Sequence, residues 1–169
     1  MRPDTRLVGL AGWSGSGKTT LIARLVPELT GRGLRVSTLK RAHHDFDIDQ
    51  PGKDSHRHRM AGATEVLVAS SRRWALMHEL RGAPEPELEE LLAKLSPVDV
   101  VLVEGFKRHP HPKLEVFRRA AGRPLLAAAD PHIVAVASDG PVPETALPVL
   151  DLDDAGAIAD FVLARFAPA

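Results

Sequence analysis

Short apolar runs alternate along this chain with segments whose apolar residues recur every three or four positions. Residues 7–11 (Leu-Val-Gly-Leu-Ala) read as a buried strand, and a helix follows from about 17 to 31. Its residues Leu21, Ile22, Leu25, Val26 and Leu29 fall on one face. Pro27 lies inside it and predicts a kink or an early end. Gly31 and Gly33 bracket the stop. A second strand is predicted over 35–40, a polar loop over 41–52, a short helix over 53–62, and strands over 64–69 and 74–77. Helical spacing at Leu88, Leu91, Leu92 and Leu95 predicts a helix over 84–95, with Pro84 and Pro86 marking its start.

Residues 98–104 (Val-Asp-Val-Val-Leu-Val-Glu) give the strongest strand pattern, a branched apolar run that implies burial on both faces of a parallel sheet. Strands over 113–117 and 133–138, a short one over 148–152, and a closing helix over 153–166 complete the pattern. The closing helix carries Ile158, Phe161, Val162 and Phe166 on one face. Strands alternating with helices predict a three-layer α/β fold with a mostly parallel central sheet. At 169 residues the length fits one domain. The Pro/Gly-rich stretch 139–148 reads as a surface loop within it.

Between the first strand and the first helix lies Gly12-Trp-Ser14-Gly15-Ser16-Gly17-Lys18-Thr19, which fits the phosphate-binding pattern G-x-x-x-x-G-K-[ST]. The strand, loop and helix context is what this motif requires. Its glycines free the backbone to turn amide N–H groups inward around an anion. The first turn of the following helix adds unpaired N–H donors and a positive dipole end. Lys18 is expected to reach the β/γ-phosphates, Thr19 to ligate Mg²⁺, and Thr20 to donate to the α-phosphate. The bland alternative is a glycine-rich turn that matches by chance.

Composition narrows the setting. The hydrophobic share of 44% and the charged share of 26% are ordinary for a soluble globular chain. The formal net charge is zero, so no global field draws the protein to nucleic acid or to anionic lipid. With no cysteine, disulfides and thiolate metal sites are excluded. No secretory pattern or membrane-length apolar run is present, and the expected location is the cytoplasm. Charge is nevertheless uneven. Between Arg32 and Met60 there are seven Lys/Arg against four Asp, and four of the eight histidines. A basic region near a phosphate loop suits an anionic ligand, although a solvated face gives the same composition.

Two further clusters fall where ligands of open α/β sheets bind, beyond the carboxyl ends of strands. The first is Glu104-Gly-Phe-Lys107, at the end of the strongest strand. Glu104 is the candidate to hold Mg²⁺ directly or through water, against the plainer reading of a charged residue closing a strand. Gly105 would let the backbone approach the γ-phosphate. The second runs from Lys40 through His43, His44, Asp45, Asp47, Asp49 and Gly52 to Lys53-Asp-Ser55. Its alternating carboxylates lack the glycine and glutamate of a calcium loop. Its histidines and carboxylates suit a transition metal. A switch segment is the better reading, with Asp49 at the Mg²⁺ shell and Lys53 on anions. His43, His44 and Asp49 are also the candidates for a catalytic base. His56 and His58 are two apart on one short helix and do not share a face.

Taken in order, Gly12–Thr20, the block Gly52-Lys-Asp-Ser55 with Arg57 and Arg59-Met-Ala-Gly-Ala63, and Glu104-Gly-Phe-Lys107 resemble the MobB family, the molybdopterin-guanine dinucleotide biosynthesis adaptor proteins. That resemblance implies a P-loop NTPase fold, GTP and Mg²⁺ binding, weak GTPase activity and a homodimer. It also implies a partner, the MobA-type guanylyltransferase that joins GMP to molybdopterin. His43, Lys53 and Arg57 join the phosphate loop as nucleotide- or anion-binding residues, and the segment with Lys53, Arg57 and Arg59 would receive a second anion such as the pterin phosphate. The Asn-Lys-x-Asp segment of many GTPases is absent, and Asp139 is the one comparable carboxylate. GTP over ATP therefore rests on the resemblance. Two other functions stay open on the residues alone. One is a P-loop small-molecule kinase or ATP-dependent ligase, and the other is a GTPase chaperone for metal insertion.

Overall fold

The computed structural model describes residues 4–42 and 46–166; His43, His44 and Asp45 lie outside the described residues. The chain divides into two compact units. Residues up to Arg41 and from Leu88 onward form the first, and Ala42–Glu87 form the second.

In the first unit, β1 (Arg6–Ala11), β2 (Val36–Lys40), β5 (Val100–Glu104), β6 (Lys113–Phe117), β7 (Ile133–Ser138) and β8 (Val149–Asp151) make one six-stranded sheet in the order β2-β5-β1-β6-β7-β8. Every pairing is parallel. The predicted burial of β5 on both faces is present: all five of its residues are buried, between β1 and β2. Alternate side chains divide between the two faces. Val8, Leu10, Val100, Leu102, Leu114 and Val116 pack with Leu21, Leu25 and Leu29 of α1 (Lys18–Gly31) and with Ile158 and Val162 of α4 (Ala155–Arg165). Val101 and Val103 face the other way, against Leu88 and Leu92 of α3 (Leu88–Leu92) and Phe106. Helices cover both faces of a parallel sheet, which is the three-layer architecture expected.

Three elements depart from the sequence pattern. α1 neither ends nor breaks at Pro27 but continues to Gly31. Ala23, whose carbonyl loses the missing proline N–H as a partner, lies on the exposed side with Pro27, where water can satisfy it. α3 is much shorter than the predicted 84–95. It begins only at Leu88, since Pro84 and Pro86 hold the preceding chain extended. β6 is buried along its whole length although Lys113 and Glu115 alternate with apolar residues.

That buried polar face is internally satisfied. The Lys113 ammonium lies 3.1 Å from Asp130 and donates to the His109 carbonyl at 2.7 Å. Glu115 accepts from the backbone N–H groups of Leu126 and Ala127, both at 2.8 Å. The ring nitrogens of His109 and His111 are 3.1 Å apart, and the outer nitrogen of His109 meets Glu89 at 2.8 Å. His111 is 4% exposed and lies beside Gly9 of β1. Burial, then Lys113, then His109 push its pKa down to about 4 against the opposing pull of Asp130.

The second unit holds α2 (Asp54–Met60) and an antiparallel pair, β3 (Glu65–Ala69) with β4 (Trp74–His78). The two strands form a separate sheet instead of joining the parallel one.

His111 sets a pH signature. Between the ordinary histidine value of 6.5 and about 4, the unfolded chain binds a proton that the folded chain does not. Stability therefore falls as pH drops through that window, by up to roughly 3 kcal/mol at the acid end. Denaturant titrations of the wild type and of His111→Asn from pH 7 to pH 4 should diverge in slope there; parallel curves would show that His111 titrates normally.

Candidate phosphate site at the carboxyl edge of the sheet

The turn from β1 into α1 is shaped by close backbone packing. Gly12 has φ 144°, and a Cβ there would lie 2.6 Å from the Val116 carbonyl and from Ser16 Oγ. No L side chain fits, and the loop is drawn against β6. The Lys18 ammonium folds back onto the loop and donates to the carbonyls of Gly12 at 2.9 Å and Trp13 at 2.8 Å. Burial lowers its pKa, while Glu104 raises it and Lys107 and Lys40 add to the lowering. Ser16 Oγ is buried and has no hydrogen-bond partner among the described residues. A buried hydroxyl without a partner is costly. Ser14, Gly15, Thr19 and Thr20 are exposed on the same turn, the two threonines within the first turn of α1.

Register places Glu104 beside this loop. It pairs with Leu10 at the end of β1 on one side and with Lys40 at the end of β2 on the other. Its carboxylate is nearly buried and lies 3.9 Å from the Lys40 ammonium. Gly105 follows with φ 103°; a Cβ there would meet the Cβ of Arg41 at 2.8 Å. Its lack of a side chain thus serves the approach of Arg41, a reason the sequence did not reveal.

Several contacts were invisible in the sequence because they join distant segments. Trp13 donates from its indole N–H to the Pro124 carbonyl at 2.8 Å. Its ring lies 5.6 Å from both the Lys107 ammonium and the Arg123 guanidinium. Arg118, just past β6, lies 3.5 Å from where a Gly17 Cβ would stand, and it pairs with Asp139 at 3.0 Å. Three cations from outside the motif, Lys107 and Arg123 on the Trp13 ring and Arg118 beside Gly17, therefore flank the loop.

The remaining candidates belong to the second unit. The Arg59 guanidinium binds Asp49 at 2.9 and 3.1 Å and Asp47 at 2.7 Å. The Arg59 hydrogen bond holds the Asp49 carboxyl below the usual carboxylate range. Both carboxylate oxygens of Asp49 thus accept from Arg59 within its own unit. Lys53, the N-cap of α2, and Arg57 within the helix are both exposed. Among the described residues no group of three or more His, Asp or Glu side chains is arranged to hold a metal ion.

A parallel sheet with helices on both faces and a phosphate loop at the end of its β1 strand define a P-loop α/β nucleotide-binding protein. Residues 7–139 match the family described as Molybdopterin guanine dinucleotide synthesis protein B, and the chain belongs to it. It is 46% identical over 160 residues to the molybdopterin-guanine dinucleotide biosynthesis adapter protein of Escherichia coli (strain K12), covering 93% of this chain and 91% of that protein. The Haemophilus influenzae protein of the same name is 42% identical over 165 residues, covering 96% and 90%. Among solved structures, a crystal structure of molybdopterin-guanine biosynthesis protein B superposes with a TM-score of 0.75 at 29% identity, covering 94% of this chain and 98% of the other.

The packing around Gly12 leads to a direct prediction. Gly12→Ala should lower stability by roughly 1–3 kcal/mol, the cost of forcing a side chain into a backbone region reserved for glycine. Chemical denaturation measures it, and an unchanged midpoint would mean that the loop does not hold this conformation in solution.

Proposed function

We propose that this chain binds GTP with Mg²⁺ at the β1–α1 turn and acts in the cytoplasm as an adapter for the guanylyltransferase that joins GMP to molybdopterin. The observation that carries the reading is the loop itself. A folded-back Lys18 and a buried Ser16 hydroxyl with no partner among the described residues suit a polyphosphate. The shared family and the 42–46% identity to adapter proteins support the pathway. They favour an adapter over a small-molecule kinase, a ligase or a metal-insertion chaperone.

In this reading the amides of Gly12, Ser14, Gly15, Ser16 and Gly17 surround the β- and γ-phosphates, and Lys18 leaves the loop carbonyls to neutralise them. Thr20 donates to the α-phosphate. Thr19 and Glu104 hold Mg²⁺, a hard cation suited to a hydroxyl and a carboxylate oxygen. The ion supplies charge neutralisation at the phosphates. Asp49, engaged by Arg59, shapes the basic segment instead of joining the metal shell. Lys53 and Arg57, both exposed, receive a second anion such as the pterin phosphate. Intrinsic GTP turnover is slow, since phosphoryl transfer of this kind depends on an arginine brought to the γ-phosphate.

The second unit supports a homodimer. Leu67 and Leu76 face each other in the β3–β4 register, next to the Ala69–Trp74 pair. Leu67, Trp74 and Leu76 are 61, 65 and 43% exposed. A two-stranded hairpin is marginal alone, and an apolar face of this kind needs a cover. A second copy of the same hairpin is the partner we propose.

Three outcomes test these readings. Lys18→Ala should weaken GTP binding at least tenfold to a hundredfold by calorimetry, given roughly 1.5–3 kcal/mol for a charge-assisted hydrogen bond, and should end stimulation of the guanylyltransferase. Unchanged affinity would place the ligand elsewhere. Glu104→Gln should weaken binding with Mg²⁺ present more than with chelator present, and equal losses would remove Glu104 from the metal site. Leu67→Glu with Leu76→Glu should halve the mass measured by light scattering, whereas a wild type that is already monomeric would contradict the dimer.

A further inference from the structure

We infer that Glu115 is a positioning residue for the phosphate loop: it holds the segment 118–130 as a strap, and the strap in turn holds Trp13. The inference rests on the phosphate site proposed above and adds to it a residue too buried to touch a ligand.

The strap joins the end of β6 to the approach of β7. Between 122 and 125 it has no regular structure, so its path is set by what it is tied to. Three ties lie on its inner side. The two oxygens of Glu115 accept from the N–H groups of Leu126 and Ala127, each at 2.8 Å. Leu125 and Ala127 pack against Phe117, Val136 and Val142. At the far end, Asp130 lies 3.1 Å from the buried Lys113 ammonium. Burial pushes the Glu115 carboxyl above its usual range, and the two amides oppose that. Burying a carboxylate is costly, and this pair of charge-assisted hydrogen bonds offsets the cost in only one position of the strap.

The outer side of the strap meets the phosphate loop. The Pro124 carbonyl accepts from the Trp13 indole N–H at 2.8 Å, and the Arg123 guanidinium lies 5.6 Å from the ring. Trp13 is the second residue of the motif, and its own carbonyl is one of the two that Lys18 holds. The path is therefore short: from Glu115 to Leu126, from Pro124 to Trp13, and from Trp13 to Lys18. At the root of the strap, Arg118 lies 3.5 Å from where a Gly17 Cβ would stand, at the other end of the loop. A loop already held in shape loses less freedom when an anion arrives, and so binds it more tightly.

Trp13 itself reports the effect, because Trp13 and Trp74 are the two tryptophans of the chain. Glu115→Gln keeps the shape of the side chain but turns an amide NH₂ toward one of the two donors. In a Trp74→Phe background it should move the Trp13 emission to longer wavelength and raise its quenching by acrylamide, at a temperature where circular dichroism shows the protein folded. Trp13→Phe removes the indole N–H. By calorimetry Glu115→Gln and Trp13→Phe should each weaken GTP binding roughly tenfold. The double variant should bind no more weakly than the poorer of the two, because both changes break one path. A merely structural Glu115 would lower the unfolding midpoint and leave the emission and the affinity of the folded protein as they were; that result overturns the inference, and so do additive losses in the double variant. Should Glu115→Gln not fold, wild-type GTP affinity in Trp13→Phe overturns it alone. Lys18→Ala separates the two readings. If that variant binds GTP as the wild type does, the phosphate site is overturned, and the strap is then judged by the Trp13 emission, where a shift in Glu115→Gln supports it and no shift overturns it.

Discussion

A single ammonium sets the geometry of the site. Lys18 closes the loop on itself by donating to the carbonyls of Gly12 and Trp13, so the positive charge is held within the turn. Everything nearby follows from keeping that turn tight. Gly12 must lack a side chain to lie against Val116. β1 must be central in the sheet for its carboxyl end to have neighbours on both sides. α1 must begin at once, so that its unpaired N–H groups add to the cradle. Partial desolvation disfavours the cation, and Glu104 opposes that in part.

The parallel sheet turns this local device into an extended site. Because all six strands run the same way, their carboxyl ends line one edge, and residues from separate stretches are brought to it. Glu104 and Lys40 come from β5 and β2, and Arg118 and Asp139 from β6 and β7. On the face away from α1, the buried pairs of Lys113 with Asp130 and of Glu115 with two backbone amides let a polar strand occupy a core position. Polar groups buried in this manner are tolerated only because each has a partner.

How much of this could be read in the sequence depended on the range of the interaction. The turn from β1 into α1 was legible because its pattern is local: eight consecutive residues, a strand before and a helix after. β5 was legible because burial on both faces demands an unbroken apolar run. α1 was legible too, although Pro27 pointed to an end that solvent exposure made unnecessary. β6 showed its strand pattern but hid the burial of Lys113 and Glu115, since the carboxylate of Asp130 and the amides of Leu126 and Ala127 that satisfy them lie eleven or more residues away in the chain. α3 looked longer than it is because leucine spacing carries no information about where prolines stop a helix from starting. The β3–β4 pair showed as strands, but nothing in their alternation said that they form a sheet of their own. The clamp on Trp13 and the Arg118–Asp139 pair depend on contacts between distant segments, and no spacing rule reaches that far.

The most direct measurement is a crystal structure of the full chain grown with Mg²⁺ and a non-hydrolysable GTP analogue. The account predicts the triphosphate wrapped by the amides of Gly12–Lys18, Lys18 released from the Gly12 and Trp13 carbonyls and bound to phosphate oxygens, and Ser16 Oγ partnered. An analogue bound elsewhere, with Lys18 still on those carbonyls, would contradict it.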